Sequence, residues 1–145
     1  MERKKFEIAI KATPQRVWQV LWDDSTYRQW SSVFAEGSHA VSDWKKASKI
    51  LFLDPQGRGM VSRIADLVEN RFMSFEHLGE VNGGVEDTAS EKVKQWAGAF
   101  ENYTLTPVDG GTHLVTDIDL DGEFVQMFSE MFPKALAKVK ELAEQ

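Results

Sequence analysis

Few side chains in this sequence are suited to moving a proton or anchoring a polar ligand. There are three histidines, His39, His77 and His113, and no cysteine. The lack of cysteine removes disulfide staples, thiolate metal sites and a cysteine nucleophile, and it suits a reducing compartment. A metal site needs several His or carboxylate ligands converging, and neither an HxH pair nor an HExxH helix is present, so no metal and no other cofactor is expected. His77 shares a strand face with Met73 and Phe75. An imidazole so placed has two uses. It orients a ligand or serves as general acid or base in a pocket, or it is a core histidine satisfied by a backbone or carboxylate partner, and the second is the simpler expectation. His39 and His113 fall near turns or strand ends and are expected at the surface.

Glu76, Glu101, Asp117, Asp119 and Arg63 also fall in strand-like segments. Alternation sets Glu101 with Tyr103 and Leu105 on one face, and Phe100 with Asn102 on the other. If the Tyr103 face is concave, Glu101 and Tyr103 become buried polar groups that need partners, with Arg63 as one candidate. If it is convex, the charges are solvated, which is the expectation for carboxylates in general. Nucleophile signatures are missing: there is no GxSxG, and no SxxK with its partners, so no catalytic residue is assigned. Gly57-x-Gly59, Gly83-Gly84 and Gly110-Gly111 read as turns rather than phosphate loops.

The elements that position these groups follow from periodicity. Lys5 to Ala12 alternates, with Phe6, Ile8 and Ile10 on one face, and reads as a half-buried strand. Thr13-Pro14 is an N-cap followed by proline at the first helical position, opening a helix whose apolar stripe is Val17, Trp18, Leu21 and Trp22. Asp23-Asp24-Ser25 stops it and caps a second short helix carrying Tyr27 and Trp30. Strands are predicted at Ser38–Val41, Lys49–Leu53, Gly59–Leu67, Phe72–Gly79, Trp96–Pro107 and Thr112–Leu120, joined by turns such as Asp54-Pro55-Gln56-Gly57. From Asp121 the period changes to that of a helix, with Phe124, Met127, Phe128, Met131, Leu136, Val139 and Leu142 on or near one side and Pro133 expected to kink it. The order is that of an α+β domain: a strongly curved antiparallel sheet of about six or seven strands against a long C-terminal helix, with two short helices after the first strand.

At 145 residues the chain is expected to form one domain. Seventeen Lys and Arg against twenty-three Asp and Glu leave a net charge of −6, which makes nucleic acid a poor partner. No apolar run reaches the ~18 residues needed to cross a bilayer, so no integral membrane segment is expected and a cytoplasmic location is. Five Trp, nine Phe, two Tyr and five Met are a heavy load for this length. They either fill a core or line a pocket for an apolar ligand.

The run Ile8-x-Ile10-x-Ala12-Thr13-Pro14-x-x-Val17-Trp18-x-x-Leu21-Trp22, then Trp30, Asp54-Pro55-x-Gly57-x-Gly59, Arg71-Phe72-Met73-Ser74-Phe75-Glu76-His77 and Gly110-Gly111-Thr112-x-Leu114, resembles the SRPBCC or START-like superfamily, and within it the branch named after activators of the Hsp-90 ATPase. The resemblance covers nearly the whole chain. It implies a single helix-grip domain over residues 1–145 with a cavity between sheet and terminal helix that takes apolar molecules in relatives. It implies little about chemistry, because members include carriers, cyclases and chaperone regulators. Expected lining residues are Trp30, Phe52, Phe75, His77, Trp96 and Tyr103 from the sheet and entrance, and Met127, Phe128 and Met131 from the helix. Phe34 and Trp44 are expected in a lid or its anchor. The partner expected is a small apolar or aromatic ligand, with a homodimer open. A chaperone partner fits poorly, since the chain lacks room for the second domain of the eukaryotic activators. Two other functions are weighed against ligand binding: a cyclase- or hydrolase-like enzyme using His77 with Tyr103 or Glu101, and a chaperone-regulating interaction.

Overall fold

The structure, a computed structural model, describes residues 1–145. The first strand, β1 (Glu2–Ile10), leads into α1 (Pro14–Trp22) and α2 (Asp24–Ser31). The strands β2 (His39–Ser42), β3 (Lys49–Leu53), β4 (Arg58–Val68), β5 (Phe72–Asn82) and β6 (Val85–Asp87) follow, then the single-turn α3 (Glu91–Lys94). The chain ends with β7 (Ala99–Val108), β8 (Gly111–Leu120) and the long α4 (Gly122–Ala143). The sheet runs β1-β8-β7-β5-β4-β3-β2, with β6 hydrogen-bonded to the far end of β5. All of its pairings are antiparallel. The sheet therefore has eight strands rather than six or seven. The additional one, β6, is a three-residue hairpin return, too short to show a period of its own.

Local chemistry sets the element boundaries. The Arg16 N–H donates to Thr13 Oγ1 at 3.1 Å, so Thr13 caps α1, and Pro14 occupies the position where a missing N–H costs nothing. Asp121 Oδ1 accepts from the Gly122 N–H at 2.8 Å at the start of α4. Register shifts between Val61 and Ser62 and between Ile64 and Asp66 insert irregularities into the β4–β5 ladder, the kind of local break that bends a sheet. Asp54 Oδ1 accepts from the N–H groups of Gln56 and Arg58 and closes the β3–β4 turn.

The terminal helix behaves as two halves. Phe132, at its midpoint, and Ala135, Leu136, Val139, Leu142 and Ala143 beyond it are buried where the helix packs against β1 and α1. Phe6 of β1 stacks on Phe132 at 5.1 Å between ring centroids. Burial of a side chain such as Leu136 contributes about 1.5–3 kcal/mol. In the N-terminal half no residue is fully buried, and Phe124 and Met127 remain 40% and 42% exposed. The helix grips the sheet with one end and stands off it with the other. Pro133, exposed, lies inside the uninterrupted helix.

A second organising feature is Trp22, at the end of α1. The rings of Trp18, Tyr27, Trp30, Trp44, Phe75 and Tyr103 surround it at centroid distances of 4.9 to 6.5 Å. Much of the aromatic load is therefore core. What stands between this cluster and the detached half of α4 is a cavity.

Candidate functional site

The cleft has a volume of about 840 Å3, within the roughly 300–1,000 Å3 typical of small-molecule sites. The face of α2 contributes Tyr27 and Trp30, and Phe34 follows from the next turn. The concave sheet contributes Phe52 from β3, Met60 from β4, His77 and Val81 from β5, Glu101 and Tyr103 from β7, and Ile118 and Leu120 from β8. The opposite wall is Phe124, Met127, Phe128 and Phe132 of α4. Trp96, in the turn after α3 rather than in a strand, closes one end. The wall is mostly hydrophobic.

One hydrogen-bonded chain of polar groups runs along its base. Ser62 and His77 face each other across β4 and β5, and the Ser62 hydroxyl lies 2.7 Å from His77 Nδ1. His77 and Glu101 are diagonal neighbours across β5 and β7, with His77 Nε2 3.0 Å from Glu101 Oε1. Tyr103, two residues along β7 and hence on the same face, donates its hydroxyl to Glu101 Oε2 at 2.5 Å. The partners assign the tautomer. With a carboxylate as acceptor, Nε2 carries the proton, and in the neutral ring Nδ1 accepts from the Ser62 hydroxyl. The result is a fixed chain of donors, Ser62 to His77 to Glu101 and Tyr103 to Glu101, that ends on one carboxylate.

That carboxylate has no Lys or Arg partner. Arg63, the candidate partner from the sequence, lies on the other face and pairs with Glu76 at 2.7 Å. Asp117 and Asp119 pair there with Arg3. The solvated-face expectation thus holds for Glu76, Asp117 and Asp119 and fails for Glu101, whose side chain is 16% exposed. Burial, joined by the charge of Glu101, raises the pKa of Tyr103 well above that of an ordinary phenol. The same two causes raise Tyr27. Tyr27 is 9% exposed, lines the cleft, and makes no hydrogen bond within the protein. Trp30, by contrast, is satisfied, its Nε1–H donating to the Leu21 carbonyl at 3.1 Å.

Of the lining residues expected from the sequence, Trp30, Phe52, His77, Trp96, Tyr103, Met127 and Phe128 stand on this wall. Phe75 does not: it is 1% exposed, wedged between Phe52 and Trp22 at 5.1 and 5.3 Å, and supports the wall from behind. Met131 does not either. It is half-buried off the cleft, and its neighbour Phe132 takes the inward position. Phe34 bridges α2 to α4, 5.8 Å from Phe128 and 4.9 Å from Phe132. Trp44 sits instead in a separate, smaller cleft of about 410 Å3 with Trp18 and Trp22, its backbone in the left-handed region at φ 60°. His39 stands partly exposed at the cleft rim, its Nδ1 3.1 Å from the Gly37 carbonyl. His113 is half-buried within β8, 3.6 Å from Glu7. Sequence reasoning missed Tyr27, Ser62 and Phe132 as site residues. Tyr27 was legible from its i, i+3 spacing to Trp30 on one helix face. No group of three or more His, Asp or Glu is placed to hold a metal. No helix is long and apolar enough to cross a membrane.

No family model matches the chain, and no curated protein matches it. Solved structures do. The Aha1 dimer from Colwellia psychrerythraea is 19% identical with a TM-score of 0.76, over 99% of this chain and 97% of that one. Protein CV1439 from Chromobacterium violaceum is 17% identical with a TM-score of 0.72, over 100% and 99%. DynU16, a protein of the dynemicin biosynthetic locus, is 14% identical with a TM-score of 0.73; all of this chain is matched to 48% of that chain, about half its length. These likenesses show the helix-grip fold, and at such identities the fold alone.

Proposed function

We propose that this protein binds a small apolar molecule with aromatic character between its sheet and the N-terminal half of α4, and that it belongs to the Aha1-like branch of the START-like superfamily. The observation that carries this is the cleft of about 840 Å3, walled largely by aromatic and methionine side chains, with the hydrogen-bonded His77, Glu101 and Tyr103 at its base and charged side chains at its rim. Large apolar pockets with a few placed polar groups are the usual form of a ligand site. The order of elements and the Aha1 neighbour support the branch. A cytoplasmic setting fits the absence of cysteine.

Native mass spectrometry of the purified protein, with a thermal-shift screen of aromatic and lipid-like compounds, tests the binding role. The expected result is a stoichiometric adduct and a rise in Tm with saturating ligand. No adduct and no shift across such a panel contradicts it.

A second function is supported by a specific observation, the 3.0 Å contact of His77 with Glu101 and the 2.5 Å contact of Tyr103 with it, on a cavity wall. These groups lie close enough to pass a proton to or from a bound molecule. Turnover of a bound cyclisable or hydrolysable substrate, lost in Glu101→Gln while binding persists, supports a cyclase- or hydrolase-like enzyme. Release of the ligand unchanged supports a carrier.

A further inference from the structure

The polar base of the cleft is unevenly satisfied. Glu101 accepts one hydrogen bond on each oxygen, from His77 and from Tyr103, and a carboxylate offers about four lone-pair sites. The remaining capacity faces the cavity, because Glu101 is itself part of the wall. No Lys or Arg opposes it. Around the rim, Asp54, Glu80 and Asp119 are paired with Arg58, Lys92 and Arg3, while Asp87 and Asp121 make no ion pair. Such a cavity disfavours an anionic head group, since a like charge brought beside a buried carboxylate is repelled in a medium of low dielectric.

Tyr27 supplies the complementary group. Its hydroxyl opens onto the same cavity without a partner, on a residue 9% exposed. With no protein partner and not sealed off from the cleft, this hydroxyl is left to bond whatever fills the cavity. Tyr27 and Glu101 line the same cleft and are not hydrogen-bonded to each other. A single ligand group that serves both can donate to Glu101 and accept from Tyr27. Among the head groups of a bound molecule, a hydroxyl is the simplest that does both. An ammonium has no acceptor for the Tyr27 proton, and a carboxylate has no donor for Glu101.

We propose that the cleft selects a neutral apolar molecule bearing an alcoholic or phenolic hydroxyl, which donates to Glu101 and accepts from Tyr27, and that it rejects the carboxylate-headed analogue. This rests on the cleft being a ligand site at all, and the probes separate the two claims. Pyrene, 1-hydroxypyrene and 1-pyrenecarboxylate share one fluorescent frame and differ only in the head group, so each can be titrated against the protein at neutral pH.

The expected order is hydroxypyrene tightest, with pyrenecarboxylate weaker by about tenfold or more. Glu101→Gln moves the two in opposite directions: hydroxypyrene weakens by about tenfold and pyrenecarboxylate tightens. A merely destabilised cavity weakens both and overturns the assignment. Tyr27→Phe narrows the preference for hydroxypyrene over pyrene, and it serves if Glu101→Gln does not fold. Equal affinity for all three probes overturns the hydroxyl assignment and leaves the binding site standing. Failure of every pyrene to bind removes both.

Discussion

The two tyrosines of this chain make an internal probe of the site, because Tyr27 and Tyr103 are its only phenols and both sit at the base of the cleft. Burial, reinforced by Glu101, raises both folded-state pKa values, while in the unfolded chain each titrates near the ordinary value of about 10. The folded state therefore holds two protons that the unfolded state releases above about pH 10. Their contribution to stability is complete below that pH and is lost as the pH rises above it. Linkage sets the slope at about 1.4 kcal/mol per pH unit for each tyrosine, about 2.7 kcal/mol for the pair. Against a typical total of about 5–15 kcal/mol, that erodes much of the fold within a few pH units. Urea denaturation across the alkaline range, for the wild type and for Tyr27→Phe and Tyr103→Phe, measures this directly. Each phenylalanine variant should remove about half of the tyrosine slope, and the lysine contribution common to all three proteins cancels in the differences. In parallel, tyrosinate absorbance should appear only with unfolding. A reversible titration of either tyrosine near its ordinary pKa, in protein that remains folded, refutes the burial of these hydroxyls beside Glu101.

Three further perturbations probe the frame around the site. Gly59→Ala places a methyl 1.7 Å from the Phe52 carbonyl oxygen, which is backbone and cannot swing away, so stability by denaturation should fall by about 2 kcal/mol or more. Gly122→Ala, where a methyl meets nothing within 4 Å, should stay within about 0.5 kcal/mol. Met127→Ser, on a side chain 42% exposed at the cleft wall, should leave stability within about 0.5 kcal/mol and weaken an apolar ligand roughly threefold to tenfold in a fluorescence titration. The Asp119 carboxyl is held below its usual range by the hydrogen bond and charge of Arg3, so its contribution is present above the ordinary carboxylate pKa and lost as the pH falls through the lowered value. Asp119→Asn should therefore flatten the acid limb of stability below about pH 4, by about 1 kcal/mol or less for so exposed a pair.

Elements governed by local chemistry were readable from the residues. Thr13-Pro14 marks the start of α1, and Lys49–Leu53 is a strand with the bounds its β-branched and aromatic residues suggest. The strand expected from Trp96 begins instead at Ala99. The turn of helix capped by Ser90, whose Oγ accepts from the Val93 N–H, occupies the chain before it, and one turn is too short to show a period. Along the terminal helix the apolar residues form two patches rather than one stripe. Met131 lies off the cleft that Phe128 and Phe132 share, because those two, four residues apart, lie on one ridge. The pairing of Glu101 with Tyr103 was visible in alternation, but which face is concave was not. That depends on the curvature of the whole sheet and on where α4 docks, both long-range properties. Arg63 illustrates the point: it lies on a strand as Glu101 does, yet on the face opposite to it.

The methionines offer the most direct test of where a ligand sits. Met60 and Met127 stand on the cleft wall, whereas Met73, 1% exposed, is in the core and Met131 lies off the cleft. Methyl-labelled methionine NMR during titration with 1-hydroxypyrene should shift the Met60 and Met127 resonances strongly and leave those of Met73 and Met131 in place. Shifts at Met73 or Met131 without shifts at Met60 and Met127, or no shift at any of them at saturation, contradict binding between the sheet and the terminal helix.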